Sequence, residues 1–187
     1  EVIFRDKIKF AYDNLPDELR EAMPLKRCTT REIVFHNNSS IRVGTSMRSG
    51  TLQYLHVSEF GKICAKFPDR AREVLTGSIP AAEMGVVFIE STAEGREGSF
   101  YEMSQTSQKN HDAGKKLTHK DYRFHFYPWH EEPAYRMSTE GVIITAKDHE
   151  YFDSLEAMLG ITIDAEQRAW YVSTRETDFS GEEEMMW

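Results

Sequence analysis

Two short apolar runs, each ending abruptly in polar residues, constrain the fold of this chain more than any other feature. The first covers residues 52–60 and ends in Ser58-Glu59, and the second covers residues 86–95 and passes through Glu90-Ser91-Thr92. Buried parallel strands have this pattern when catalytic groups lie at their carboxyl ends. Because a helix-length segment separates the runs, they predict a βαβ unit whose polar ends lie side by side. That is the layout of a nucleotide-hydrolysing core.

Charge and hydropathy exclude two classes of function. The 187 residues carry 31 acidic and 23 basic side chains, for a net charge of −8. This balance argues against a surface dedicated to coating DNA, because duplex binding depends on phosphate neutralisation. No apolar run approaches the roughly 20 residues of a membrane-spanning helix, so we expect no membrane partner. Cys28 and Cys64 lack metal-ligand spacing, which predicts a reduced, cytoplasmic protein.

Periodicity and turn signals predict the remaining elements. A β-hairpin is expected where residues 32–36 and 40–44 flank a polar turn, and strands are expected at 53–58 and 85–90. Alternating aromatic and polar side chains predict a half-buried strand at 121–127. Helices are predicted at residues 2–15, from Pro16 onward, at 60–76 with a break at Pro68, and at 99–111, 147–159 and 164–177. Strands separated by helices in this order predict an α/β sheet with parallel neighbours.

Glu59 and Ser58 are the first candidate site residues. A carboxylate directly after an apolar strand can polarise a water for attack on a phosphoryl group. The alternative is a solvated glutamate at the start of the next helix, where the helix dipole favours acidic side chains. Ser58 lies where a magnesium-organising aspartate is expected. Its hydroxyl can hydrogen-bond a metal-bound water or serve only as a cap.

Hydroxyl and guanidinium groups near the strand ends form a second set of candidates. Ser91 and Thr92 end the second strand, where hydroxyls can sense a γ-phosphate and pass its loss to the following loop. Ordinary turn chemistry is the alternative. Arg48 lies in a loop eleven residues before Glu59. It is either a surface arginine or a group that stabilises transferring phosphate, within the subunit or across an interface.

One region departs from the acidic balance of the chain. Residues 109–123 hold five lysines and arginines, among them Lys115, Lys116 and Lys120, against two aspartates. The region with this excess of positive charge is either a solvated loop or a surface that contacts nucleic acid. Just beyond it, His125 and His130 lie five residues apart across a proline turn. Their spacing matches no strong metal signature, and an aromatic packing corner is the alternative.

Several short motifs follow one another between about residue 32 and the C-terminus. They are Arg48-Ser49-Gly50-Thr51, Tyr54-Leu55-His56-Val57-Ser58-Glu59-Phe60-Gly61, Glu90-Ser91-Thr92-Ala93-Glu94-Gly95, Gly98-Ser99-Phe100-Tyr101, Phe126-Tyr127-Pro128-Trp129, Pro133-Ala134-Tyr135 and Gln167-Arg168-Ala169-Trp170-Tyr171. Each is weak alone, but their order and spacing together resemble the large subunit of tailed-phage terminases. In that family a RecA-like ATPase domain drives DNA into the procapsid, and an RNase H-like nuclease domain cuts the concatemer.

The resemblance implies a role for each candidate residue. Residues 53–59 would be the Walker B strand, with Glu59 as the catalytic glutamate. Ser91, Thr92 and Ala93 would be the motif that couples hydrolysis to movement, and Arg48 would be a finger acting on a neighbouring subunit's ATP. ATP and Mg²⁺ would be the cofactors of the full-length protein, with Ser58 supporting the metal through water.

The same resemblance implies partners and a location. The partners would be double-stranded DNA, the small terminase subunit, the portal and further copies of the motor subunit. The location would be the cytoplasm of an infected or lysogenic bacterial host.

Two departures from the family pattern shape this expectation. Ser58 replaces the usual Walker B aspartate, and no G-x-x-x-x-G-K-[ST] loop occurs in the sequence. We therefore expect residues 1–187 to be a single partial ATPase domain. It would be a partial RecA-like α/β sheet of the ASCE P-loop type, flanked by helices, without the Walker A segment or the nuclease domain. The missing initiator methionine fits a fragment, which alone is expected to bind neither ATP nor Mg²⁺.

Two other interpretations compete with this one. The chain is also consistent with a non-catalytic binding or assembly module that keeps an ATPase-like scaffold and holds a partner through a strand edge or the 109–123 region. The third interpretation is a histidine-based metal hydrolase. A phosphate-binding loop upstream in the reading frame would favour the motor over the module.

Overall fold

The computed structural model describes residues 2–45, 47, 50–92 and 94–179. The chain divides into two compact units, Glu1–Glu90 and Ser91–Trp187. Strands and helices are both present, so the fold is mixed α/β, as the sequence predicted. Among the described residues, each helix is too short or too polar to cross a lipid bilayer.

The first unit begins with helical turns that pack on an antiparallel sheet. Its strands are β1 (Leu25–Cys28), β2 (Glu32–Phe35) and β3 (Ser40–Arg42), in the order β1-β2-β3. The helical segments are a π-helical turn at Phe4–Lys9, α1 (Phe10–Asp13) and α2 (Asp17–Ala22). Phe4, Ile33 and Phe35 form a small core between the helical turns and the sheet. The predicted hairpin is confirmed as the antiparallel β2–β3 pair.

The second sheet of this unit is the predicted βαβ unit. Strands β4 (Tyr54–Val57) and β5 (Val86–Ile89) pair in parallel, with Tyr54 opposite Val86 and Val57 opposite Ile89. The crossover between them contains α3 (Phe60–Lys66), α4 (Pro68–Glu73), a π-helical turn at Val74–Ser78 and α5 (Ile79–Ala81). The predicted helix break is confirmed, because Pro68 is the first residue of α4, where its missing N–H costs no hydrogen bond. The larger RecA-like sheet stays a prediction, since the described residues give this sheet two strands.

The second unit is largely helical. Its elements are α6 (Gly98–Asp112), a 3₁₀ turn at Trp129–Glu131, α7 (Ala146–Leu159) and α8 (Ala165–Asp178). Helices α7 and α8 each begin with a reciprocal capping box, at Thr145 and Asp164. Phe152, Ile163, Tyr171 and Val172 form the core between α7 and α8.

The prediction of a strand at residues 121–127 is wrong. Within the described part of the chain this segment pairs with no other strand, and it runs as irregular backbone. An alternating pattern becomes a strand only when a partner takes up its backbone hydrogen bonds. The side chains of Phe126 and Tyr127 are therefore left exposed, at 67% and 83%.

Candidate functional site at the carboxyl ends of the parallel strands

The carboxyl ends of β4 and β5 meet around the backbone of Glu90. The Glu90 N–H donates to the Val57 carbonyl at 3.0 Å, and the Glu90 carbonyl accepts from the Phe60 N–H at 3.1 Å. These two bonds lie on either side of the Ser58-Glu59 turn. The sequence expectation that the polar strand ends lie side by side is confirmed for this pair of strands.

Glu59 makes the turn from strand to helix in a left-handed conformation. Its φ and ψ are 57° and 38°, a region that side chains other than glycine rarely occupy. The next residue, Phe60, is completely buried and anchors the start of α3. Strained backbone of this kind occurs most often at functional sites, where surrounding contacts hold it in place.

The side chain of Glu59 is free to act on a ligand. It occupies the N-cap position of α3 but accepts no hydrogen bond from the helix backbone. Within the described residues it has no ion-pair partner, and it is exposed together with Ser58. Glu59 is therefore an exposed glutamate at the start of a helix, as the alternative interpretation predicted. Its carboxylate does not cap that helix.

Glu90 adds a second carboxylate to this edge. Its Oε1 lies 3.3 Å from Nε2 of His56, and both side chains are largely exposed. The contact becomes an ion pair when the imidazole is protonated. Sequence reasoning did not nominate Glu90 or His56. The signal was present, because Glu90 follows the second apolar strand as Ser58 and Glu59 follow the first.

Three oxygen-bearing side chains, Ser58, Glu59 and Glu90, thus share one sheet edge. Such groups hold water, including water bound to Mg²⁺, which keeps much of its hydration shell in proteins. They do not hold a triphosphate, because binding of this kind needs a cradle of backbone N–H groups. No such loop occurs in the sequence.

The structure describes some of the other predicted site residues and not others. Arg48 and Ala93 lie outside the described residues. Ser91 and Thr92 follow Glu90 directly in the chain and begin the second unit. The Ser91 hydroxyl is buried without a hydrogen-bond partner in the described structure, whereas Thr92 is exposed.

The basic region is organised around Asp121. Lys115 Nζ lies 2.8 Å from Asp121 Oδ1, and the N–H and hydroxyl of Thr118 both donate to Oδ2 at 2.9 Å. The hydrogen bonds from Lys115 and Thr118 lower the pKa of Asp121 to about 2. The ion pair between Lys115 and Asp121 therefore closes a loop. Lys116 and Lys120 lie within this loop and are exposed.

The histidines around Pro128 do not come together as a metal site. The described residues contain no group of three or more His, Cys, Asp or Glu side chains arranged to hold a metal ion. Trp129 packs against Trp170 and Tyr171, with ring centroids 5.9 and 5.0 Å away. This is the aromatic corner that the sequence offered as the alternative. His125 lies outside it and is exposed.

The second unit contains a cavity of about 300 Å³. One face of α6 and residues 120–122 line it, and the contributing side chains include Glu102, Thr106 and Asn110. Of the predicted site residues, Lys120 is among those that line it.

Comparisons with protein-family models, with curated proteins and with solved structures found no match to this chain.

Proposed function

We propose that this chain is part of a DNA-packaging motor ATPase of the terminase large-subunit class, and that Glu59 orients the water that attacks ATP. The observation that carries the proposal is the pairing of two parallel strands whose carboxyl ends present Ser58, Glu59 and Glu90 at one edge. The order and spacing of the short motifs between residue 32 and the C-terminus support the choice of this class. Because comparisons with known proteins found no match, the proposal depends on the motifs and on this geometry alone.

The geometry suits a water-positioning task. A left-handed turn at Glu59 fixes where its carboxylate leaves the backbone, and the buried Phe60 ring keeps that turn in place. Phosphoryl transfer needs little covalent help from the protein, so catalysis is mostly positioning and electrostatics. Glu59 would accept the proton of the attacking water, and Ser58 would hold a metal-bound water by its hydroxyl. The nucleotide would supply the phosphoryl group that is transferred and the phosphate oxygens that bind the metal ion.

The proposal requires a phosphate-binding loop from outside these 187 residues. It places that loop upstream of Glu1, and we propose ATP and Mg²⁺ as ligands of the longer protein rather than of this chain. Double-stranded DNA, the small subunit, the portal and neighbouring motor subunits remain the proposed partners. Arg48 would then act on the nucleotide of a neighbouring subunit.

The test is turnover by the longer protein with Glu59→Gln. We expect ATP hydrolysis to fall by at least about 100-fold, because a positioned base contributes roughly 10²–10⁴-fold, while nucleotide affinity changes little. Glu83→Gln, an exposed glutamate just before β5, is the matched control and should leave the rate unchanged. Near-normal hydrolysis by the Glu59 variant would rule out the assignment.

A second candidate function has an observation of its own. The outward face of the β4–β5 pair exposes Tyr54 at 75%, Val86 at 46% and Phe88 at 57%, although parallel sheets are normally covered on both faces. A non-catalytic assembly module that buries this face against another protein accounts for these side chains, and for Ser58 in place of aspartate. Failure of the longer protein to bind nucleotide would favour the module.

A further inference from the structure

The segment between α6 and Trp129 carries both exposed aromatic rings and exposed cations. We propose that it binds single-stranded nucleic acid through Lys116, Arg123, His125 and Tyr127, which we call the aromatic–basic strip. The inference concerns base stacking on a surface of the second unit and does not depend on ATP hydrolysis.

The rings of the strip are oriented for stacking. His125 and Tyr127 have nearly parallel rings, with 5° between their planes and 6.3 Å between centroids. A base inserted between the two rings would need about 6.8 Å, twice the separation of stacked bases, so we expect a base to stack on the outer face of the pair. The ring of Tyr127 is open to solvent, since the side chain is 83% exposed.

The charge of the strip complements phosphate. Lys116 and Arg123 are exposed, and within the described residues neither has an acidic partner. The acidic neighbour, Asp121, is already satisfied by Lys115 and Thr118. The strip therefore presents uncompensated positive charge on a chain whose net charge is −8. Such charge attracts a phosphate backbone by counterion release.

Acidic residues bound the strip on its C-terminal side. Glu131 and Glu132 are exposed just beyond Pro128, and Glu132 Oε1 accepts a hydrogen bond from the Ala134 N–H at 3.1 Å. These carboxylates would repel a backbone that ran past Tyr127. The strip thus has room for a few nucleotides.

Single strands fit this surface better than duplexes. A base offers its face to an aromatic ring only when it is unpaired and unstacked. Reading of duplex DNA usually requires a helix or a two-stranded ribbon in the major groove, whereas the strip is one irregular segment. Arg123 is exposed two residues before His125 in the same segment, and its guanidinium can meet the phosphates of a strand whose base stacks on these rings.

The test is fluorescence anisotropy of this chain with a labelled 12-nucleotide oligo-dT and with a duplex of equal length. We expect the single strand to bind more tightly, with an affinity that falls as salt rises. Tyr127→Ala should weaken binding about tenfold, the loss expected from one stacked base, and Tyr127→Phe should retain it. Arg123→Gln should also reduce the slope of log affinity against log salt by about 0.7.

Two matched variants serve as controls. Ile143→Ala removes an equally exposed apolar side chain of the same unit, and Arg31→Gln removes an exposed cation elsewhere; neither should change binding. Circular dichroism checks that every variant is folded. The proposal is overturned if oligo-dT does not bind at low salt, if Tyr127→Ala binds normally, or if the duplex binds as tightly as the single strand. Self-association that is lost in Tyr127→Ala, without oligonucleotide binding, would instead identify a protein-binding surface.

Discussion

Glu59 is the residue on which the functional account depends. The sequence places it at the end of an apolar strand, but its left-handed backbone was not predictable from the sequence. That conformation depends on the Phe60 N–H reaching the Glu90 carbonyl, a contact between residues thirty positions apart. A glutamate in this region costs about 1–2 kcal/mol relative to ordinary backbone.

Replacing Glu59 with glycine should therefore stabilise the fold. Relief of the left-handed strain is offset in part by the extra entropy of an unfolded glycine, leaving a net gain of about 0.5 kcal/mol. Urea unfolding followed by circular dichroism measures the change. Glu97→Gly is the comparison, because Glu97 precedes α6 with extended backbone at φ −144° and has no strain to release. Equal destabilisation by both variants would contradict the assignment of strain to Glu59.

At the scale of elements, Gly85 shows how closely β4 and β5 approach. A Cβ at this position would lie 2.5 Å from the carbonyl oxygen of Gln53 and 2.6 Å from that of Leu52. Those oxygens belong to the backbone and cannot move aside as a flexible side chain does. The start of β5 therefore requires glycine for space.

Gly85→Ala should destabilise the first unit by about 1–3 kcal/mol, the usual cost of overpacking. Hydrogen exchange should show lost protection at the amides that join β4 to β5. Met84→Ala, at an adjacent side chain that is 89% exposed, should change stability by less than about 0.5 kcal/mol. Unchanged protection in Gly85→Ala would mean that the strands are not paired in this register.

Helices α7 and α8 are joined by a buried ion pair. Arg175 Nη1 lies 2.6 Å from Asp148 Oδ1, and the two side chains are 10% and 3% exposed. Burial of the Asp148 carboxyl opposes its ionisation, but the hydrogen bonds from Arg175 and Thr145 outweigh it, so its pKa lies below the usual range. The pair stabilises the fold above the unfolded-state pKa of about 3.9 and ceases to do so as pH falls through the lower folded-state value.

Asp148→Asn should cost about 3 kcal/mol at pH 7, because Arg175 then loses its buried counter-charge and keeps the more exposed Glu176 carboxylate. The wild-type protein should lose stability as the pH falls below about 4, and the variant should lose less over that interval. Denaturant unfolding followed by tryptophan fluorescence measures the stability at pH 7 and its change with pH, since Trp129 and Trp170 pack in this unit. Glu176→Gln, which removes the exposed partner of Arg175, should have little effect. A variant as stable as the wild type at pH 7 would contradict the role of the pair.

At the scale of the whole molecule, the sequence predicted the parts that local patterns control. Apolar runs located β4 and β5, and periodicity with end signals located α7 and α8 to within one or two residues. It did not predict β1, a four-residue strand that is mostly exposed and lacks an apolar pattern. It was wrong at 121–127, because pairing depends on partners that alternation does not specify. Within the site, the strand ends were predicted, and Glu90 was overlooked although it follows the second apolar run. The left-handed backbone of Glu59 depends on a long-range contact that the sequence does not specify.

The central claim is that these residues form one part of a nucleotide-hydrolysing motor whose phosphate loop lies upstream. The most direct test is isothermal titration calorimetry with Mg²⁺ and a non-hydrolysable ATP analogue. It compares this chain with a version extended upstream through the phosphate-binding loop. The account predicts binding by the extended protein and none by residues 1–187 alone. Binding by neither would contradict the motor assignment and leave the assembly module as the better account of the β4–β5 face.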